Sequence, residues 1–456
     1  MCSTYTGAAD DEKVQYWVPN GPLLKPVKLM LECSIVGKLI TNLNKTTKES
    51  TQYFSQIEHS LKYVYGKKMM RLTVHLGQLK LFLSELEFVT HCLRQHTDPA
   101  LFVYAGSAPS NKIMILCDMF PNIKLLLVDP NDHNVMTSQE QIVYLKTHST
   151  GTKYGISNQE YNVYVNGAVK RATRKSITDL TRDVTEPDLA FIKTSKYRVY
   201  IFEGYMTEAI ASQFKDTPCY FISDIRTNTE DDLPKDVDIL WNSAQQFVWL
   251  NKMKPIKCML KFRVPYGLQT YDELEKSSHK FAEIKQARDM GLDLVEDYKN
   301  HIFRYIKCET IFLQAFAGSS STESRLISSV YDELQEYPIQ DYDDRFYYLN
   351  NISRMLTFHE HNMINKSLNI DGCNDCALMA KIYSDYNTKY NLNIDGLDEI
   401  RKLMYTMNRN FRENPIHGIF YKPFENLDEV KRLELSLPLL ILLQQSRDKL
   451  MRHVNK

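Results

Sequence analysis

The chain has 456 residues, 43% hydrophobic and 25% charged, the balance of a globular protein large enough to bury a sizeable core. Fifty-six Lys and Arg against 56 Asp and Glu leave no net charge, which excludes a bulk polycation; any nucleic-acid contact needs a local basic surface. Nine scattered Cys, an N-terminus without the basic-then-apolar layout of a signal peptide, and a longest apolar run (LSLPLLILL, 435–443) too short for a bilayer and containing Pro438 point to a soluble cytoplasmic protein with free thiols and no membrane contact.

Residues 1–74 read as a polar N-terminal extension, with a Tyr-rich segment from Tyr53 to Tyr65. LGQLKLFLSELEFVTHCL at 76–93 predicts an amphipathic helix. Leu79, Phe82, Leu83, Leu86, Val89 and Leu93 keep helical spacing, and Lys80, Ser84, Glu87 and His91 form a polar stripe. Apolar runs at 101–105, 124–128, 198–202, 219–223 and 257–262 read as buried strands. Helix-compatible segments separate several of them, which predicts an α/β fold with a parallel sheet. The polar stretch 145–190 is too long for a simple connection and reads as an insertion with some local structure. From about 351 to 456 the composition is helical, so the expected core is 75–350. LNIDG occurs at 368–372 and 392–396, and both copies read as turn-and-cap sequences rather than calcium loops.

The stretch VYAGSAPSNK at 103–112 follows the first predicted strand and opens a helix. It lacks the glycine spacing of a dinucleotide site and the Lys-Ser/Thr ending of a P-loop. Small residues at Gly106, Ser107, Ala108 and Ser110 still permit close approach of a ligand to the backbone. Asp129 ends the next strand, placed to accept from ribose hydroxyls. A ligand with a ribose and no phosphate fits, and S-adenosyl-L-methionine is the commonest cofactor of that kind.

Asp224 closes the strand CYFISD, so it is aimed at the crevice beyond the strand ends where open sheets bind ligands. Lys261 lies inside the apolar strand KCMLKF, an expensive place for an amine unless it is paired. Glu323 precedes another apolar run and reaches the same end if that strand is antiparallel. Lys80 can lean over the crevice from the first helix. Taken singly, Lys80 and Glu323 also read as ordinary solvated charges.

GQLKLFLSELEF (77–88), VYAGSAPS (103–110), LLLVD (125–129), ISDIR (222–226), LKFRVPYG (260–267), TESRL (322–326) and YDDRFYYLN (342–350) follow one another as they do in a known family. In these blocks the chain resembles the poxvirus-type cap-specific mRNA nucleoside-2′-O-methyltransferases, which also serve as the small regulatory subunit of a viral poly(A) polymerase. The resemblance implies a Rossmann-like class I methyltransferase: a mostly parallel sheet with an antiparallel edge strand, and a helical C-terminal extension. It implies a catalytic tetrad of Lys80, Asp224, Lys261 and Glu323; of these, we read Lys261 as the general base. Cofactor contacts are implied at Gln78, Tyr104, Gly106, Ser107, Ser110, Asp129, Phe202 and Asp224. Arg263, Tyr266 and Asp343 would recognise the cap, with Ser321 and Thr322 near the target nucleotides. The implied partners are capped mRNA and the poly(A) polymerase catalytic subunit, in a host cytoplasm or virion.

The chain departs from the family at Ser110, where the turn ends in Gly, at Asn131, which replaces an Arg, at Leu268, which replaces an acid, and at Ser320, which replaces a Tyr. A second cap-stacking aromatic would come from Tyr53, Tyr63 or Tyr65. Two other readings stay open: a non-catalytic RNA-binding polymerase subunit, and a 2′-O-methyltransferase of another RNA. His359, His361, Cys373 and Cys376 have a spacing a zinc ion can use, but structural roles are the commoner fate of such residues, and no metal is expected.

Overall fold

The computed structural model describes residues 51–62, 77–133, 186–227, 235–354 and 374–392, apart from positions 59, 61, 111, 132, 188, 228–234, 268, 319 and 320. It also describes short strand segments at Cys2–Gly7, Val14–Pro19, Ile142–Lys146, Glu160–Val165, Ala168–Thr173, Thr181–Asp183, Ile364–Asn365 and Ile370–Asp371.

The apolar runs become the strands of a nine-stranded sheet. In chain order its members are β1 (Ala100–Ala105), β2 (Ile123–Val128), β3 (Ile142–Lys146), β4 (Thr181–Asp183), β5 (Val199–Glu203), β6 (Tyr220–Ser223) and β7 (Lys257–Phe262). A separate strand, β8 (Ile302–Ile306), comes next, then β9 (Thr310–Phe312) and β10 (Ser324–Ser328) of the main sheet, and β11 (Leu334–Pro338), which pairs with β8. Across the sheet the order is β9-β10-β7-β6-β1-β2-β5-β3-β4. β7, β6, β1, β2, β5, β3 and β4 run parallel, whereas β10 is antiparallel to both β7 and β9. The antiparallel strand therefore lies one place in from the edge, which the three-residue β9 occupies.

β1, β2 and β5 are buried along most of their length, as expected for parallel strands covered on both faces. The helix α1 (Gly77–Cys92) departs from its expected half-polar character: Ser84, Glu85, Glu87 and Thr90 are all buried along with its apolar face. The C-terminal helix Asn374–Tyr390 covers the side that periodicity alone assigns to solvent. The intervening helices needed here are α2 (Ile113–Met119) and α3 (Ile339–Tyr348), and the covering helix is α4 (Asn374–Tyr390). Lys389 Nζ donates to Thr90 O at 2.6 Å, and Tyr390 OH donates to Thr90 O and Leu93 O at 3.3 and 3.1 Å. These contacts satisfy carbonyls left open at the end of α1 and set a cation at its negative pole. Glu87 accepts from Gln52 at 2.8 Å, tying the segment before α1 into the same layer. The insertion contributes the antiparallel pair Glu160–Val165 and Ala168–Thr173, along with β4. No helix among the described residues is long and apolar enough to cross a membrane.

Candidate active site

Sheet register brings distant residues together. Ser223 at the end of β6 pairs with Ala105 of β1 and with Leu260 of β7. The next residue, Asp224, is therefore level with Gly106 on one side and Lys261 on the other. Across the antiparallel pair, Lys261 faces Arg325, and Phe262 faces Ser324. Glu323, just ahead of β10, thus arrives at the end of the sheet where β1 and β6 finish. Lys80 reaches in from the first turns of α1.

Lys80 Nζ lies 2.7 Å from Glu323 Oε1, and Lys261 Nζ lies 3.0 Å from Asp224 Oδ1 and 3.5 Å from Glu323 Oε2. A fifth charge, which the sequence reading passed over, sits beneath them. Arg325 is 1% exposed, with Nη1 2.8 Å from Asp224 Oδ1 and Nη2 3.5 Å from Glu323 Oε1. Gln314, with its amide turned to suit its neighbours, donates to Glu323 Oε1 at 3.1 Å and accepts from Arg325 Nε at 2.9 Å. Nothing local in ESRLI marks Arg325 as buried; its place comes from the antiparallel pairing of β10 with β7. Arg226, half exposed, stands 3.5 Å from Glu323 Oε2 at the rim.

Three cations and two acids decide one another's charge. Burial pushes Glu323 up, but Lys261, Lys80 and Arg325 outweigh it and hold the carboxyl well below its usual range. Burial likewise opposes ionisation of Asp224, and Arg325 and then Lys261 reverse the balance. For Lys80 burial wins. Its pKa falls, because the pull of Glu323 is countered by Arg325 and Lys261 as well as by desolvation.

On the other side of Asp224 lies the turn after β1. Gly106 has φ +74°, and a Cβ there would come within 2.7 Å of the Asp224 carbonyl carbon and the Ile225 nitrogen. Only glycine lets the turn approach β6 this closely. Ser110 takes a left-handed conformation (φ 54°), which glycine adopts more readily than serine. Its hydroxyl donates back to Ser107 O at 2.5 Å, and Ser107 Oγ is 2.9 Å from His133 Nε2. Asp129 is buried at the end of β2. Its Oδ1 accepts from the backbone N–H and side-chain amide of Asn131 at 2.8 and 2.9 Å, and its Oδ2 from the Ala108 N–H at 3.1 Å. Asn131 thus orients the acid locally. Phe202 is buried beside it, its carbonyl accepting from the Asp129 N–H at 3.2 Å. Tyr104 OH donates to Glu85 Oε1 at 2.8 Å, and Gln78 Oε1 lies 3.4 Å from Lys112 Nζ. This lining fits a nucleoside cofactor: a Cβ-intolerant turn beside a strand-end acid with one acceptor position left on Oδ2.

The residues expected at the cap gather beyond β7. The Arg263 guanidinium lies over the Tyr266 ring, 4.1 Å from its centroid, so one face of that ring is already covered. Asp236, which sequence reading missed, accepts from the Tyr266 N–H at 2.9 Å and from Tyr298 OH at 3.0 Å, fixing the loop that carries the ring. Asp343, on α3, is buried, and its Oδ1 has no hydrogen-bond partner. Burial raises its pKa to about 8 against the opposing pull of Arg263. Ser321 Oγ accepts from the Glu323 N–H at 3.2 Å, and Ser321 O accepts from Asn350 at 2.7 Å. Thr322 is buried, its carbonyl accepting from Tyr342 OH at 3.2 Å. Tyr53 forms a β-bridge with Phe312 and packs on its ring at 5.8 Å, whereas Tyr63 and Tyr65 lie outside the described residues. So do Leu268, Ser320, His359, His361 and Cys373; Cys376 is buried at the start of α4 and forms no disulfide.

A mostly parallel sheet with a small-residue turn after one central strand, an acid ending the next, and charged side chains converging at those strand ends has the fold of a Rossmann-like methyltransferase. The model of the family described as poly A polymerase regulatory subunit matches residues 46–165 and 177–277, and the chain belongs to that family. The match takes in Lys80, Asp224 and Lys261. Glu323 and Arg325 lie beyond it; the pairing of β10 with β7 and their ion pairs with Lys80, Lys261 and Asp224 bring them into the site.

Proposed function

We propose that the protein transfers a methyl group from S-adenosylmethionine to the ribose 2′-hydroxyl of the first transcribed nucleotide of capped mRNA. The observation that carries this reading is the gathering of Lys80, Asp224, Lys261 and Glu323 within ion-pair distance beside the Gly106 turn. The cofactor supplies a methyl already made electrophilic by its positive sulfur. What remains for the protein is to align the hydroxyl and take up its proton. Lys261 Nζ is the group held for that task, between Asp224 and Glu323, with Arg325 and Gln314 fixing the two acids from below. Gly106, Asp129 and Phe202 would hold the nucleoside.

Cap selection follows from the second cluster. The 7-methylguanine base is flat and cationic, so it gains from stacking on the Tyr266 ring and from a carboxylate at Asp343 that accepts its ring-edge N–H. Incubating the protein with radiolabelled S-adenosylmethionine and transcripts differing only in cap status tests the reading. Transfer confined to capped RNA, at the first nucleotide, supports it; equal transfer to uncapped RNA points to another RNA target, and none to either sinks it.

The family description supports a second role on the same chain, association with a poly(A) polymerase catalytic subunit. Co-purification with that subunit and longer tails made per binding event are its test. The free thiols among the described residues are in keeping with a reducing, cytoplasmic location.

A further inference from the structure

The ion pair between Lys80 and Glu323 closes the tetrad at 2.7 Å, and its two halves lie 243 residues apart in the chain. Lys80 rides on α1. Glu323 follows a turn in which the Ser321 N–H donates to Gly318 O at 3.0 Å. Beside this turn lies a cavity whose polar lining includes Gln314, Ser321, Glu323, Asn350 and Arg354. Side-chain packing therefore does not fix the turn on that side, and its place depends on hydrogen bonds to its carbonyls.

Those bonds come from one unit. Beyond α3 the chain makes a π-helical turn, Leu349–Ser353, a departure from the α-helix that often marks a functional site. Asn350 stands near its start and Arg354 just past its end, and both are buried. Arg354 Nη2 donates to Ala317 O at 2.7 Å, and Nη1 donates to Asn350 Oδ1 at 2.8 Å. Because that oxygen is taken, the Asn350 amide has its nitrogen left for the turn, and Nδ2 donates to Ser321 O at 2.7 Å. Ser321 Oγ in turn accepts from the Glu323 N–H at 3.2 Å.

The guanidinium is anchored on its other side by Asp375 in the first turn of α4. Nε donates to Oδ1 at 3.0 Å and Nη2 to Oδ2 at 2.8 Å, a fork that fixes its plane. The far end of α4 holds α1 through Lys389 and Tyr390. One helix thus supports both the turn before Glu323 and the helix that carries Lys80.

We infer that Asn350 and Arg354 are positioning residues for methyl transfer: through Ser321 they set the Glu323 carboxylate against Lys80 and Lys261. The inference rests on the methyl-transfer reading of the site. Both residues act through Glu323 and not on the reacting atoms.

Two substitutions at one position separate positioning from anchoring. Asn350→Ala loses the acceptor for Arg354 and the donor to Ser321 O, whereas Asn350→Asp keeps the acceptor and loses only the donor. Both are expected to lower kcat by on the order of tenfold or more, counted per site that binds S-adenosylhomocysteine. KM for S-adenosylmethionine and affinity for S-adenosylhomocysteine should stay at wild-type values. Wild-type kcat in Asn350→Asp overturns the inference, because only the contact with Arg354 would then matter. A loss of S-adenosylhomocysteine affinity that parallels the loss of kcat overturns it as well. Arg354→Lys, which keeps the charge on Asp375 without the fork, is expected to show the same split and serves if neither Asn350 variant folds. Crystal structures of the variants read the geometry without any activity. Glu323 Oε1 is expected to leave its 2.7 Å contact with Lys80, and an unmoved carboxylate overturns the inference. A wild-type protein that methylates no RNA sinks the methyl-transfer reading, and the displacement of Glu323 still decides whether these residues position it.

Discussion

Arg325 grips Asp224 from beneath, Nη1 to Oδ1 at 2.8 Å, on the same oxygen that Lys261 approaches from above at 3.0 Å. The guanidinium is almost wholly buried and also meets Glu323, so it neutralises much of the negative charge the site keeps out of water. Removing one member of such a set leaves the others buried and unpaired, a larger cost than never having built it. Arg325→Met is therefore expected to lower stability by about 3–5 kcal/mol in denaturant unfolding. Arg325→Lys keeps the charge but loses the fork, and should recover part of that stability without full methyl transfer. A stable, fully active Arg325→Met protein would mean that the acids do not depend on it.

Lys261 is held by two acids and contributes no packing that its strand needs: Cys258, Met259, Leu260 and Phe262 fill the core around it. Lys261→Ala is expected to abolish methyl transfer to capped RNA, a loss of at least 100-fold if its role is proton uptake. Affinity for S-adenosylhomocysteine should stay close to that of the wild type, because Gly106, Asp129 and Phe202 are untouched. Near-normal turnover by the variant would remove the base assignment, and loss of both properties together would mark Lys261 as structural.

Acid removes the stability that the two carboxylates of the cluster contribute. Asp224 and Glu323 have folded pKa values below their unfolded ones, so the stability they contribute is complete above the unfolded values, near ~4, and is lost as pH falls through the folded values. Lys80 acts with the opposite sign at the other end. Its pKa is lowered by burial, so its charge is a cost at neutral pH, relieved as pH rises through the folded value toward ~10.5. The gap in melting temperature between wild type and Glu323→Gln, followed between pH 3 and 6, should narrow as pH falls below the unfolded carboxylate values, near ~4. A constant gap across that range contradicts the linkage.

How much of this was legible before any coordinates can be argued from particular residues. Uninterrupted apolar runs mark β1, β2, β5, β6 and β7, because strands buried on both faces have little room for polar side chains. Asp224 and Asp129 are legible because each ends such a run. Arg325 is not, since its value depends on lying opposite Lys261 in an antiparallel pairing that no local pattern specifies. Glu87 misleads for a related reason. Helical spacing puts it on the polar stripe, but periodicity describes one helix at a time and says nothing of α4, some 290 residues onward, whose Asp385 shares Gln52 with it. Asp236 belongs to the same class, a helix-start acid whose partner is the backbone of a distant loop.

Asp343 gives the cap reading a pH signature. With a pKa raised to about 8 by burial, its carboxyl is protonated in the free protein at neutral pH, and its Oδ1 has no hydrogen-bond partner. A ligand that donates N–H groups to this side chain, and brings a positive charge, prefers the ionised form, so binding must expel the proton. Affinity for a 7-methylguanine cap analogue should accordingly rise with pH up to about 8, and Asp343→Asn should remove the part of that rise that Asp343 causes. Comparing the two proteins at each pH cancels any titration of the ligand itself. Tyr266→Ala, which removes the stacking surface, is expected to weaken the methylated analogue more than the unmethylated one, since only the former gains cation–π attraction. Fluorescence titration of both analogues across pH 6 to 9 (a range chosen to bracket about 8) reads every outcome. Identical pH profiles for wild type and Asp343→Asn would detach Asp343 from the cap, and equal losses for the two analogues in Tyr266→Ala would detach Tyr266 from selection of the methylated base.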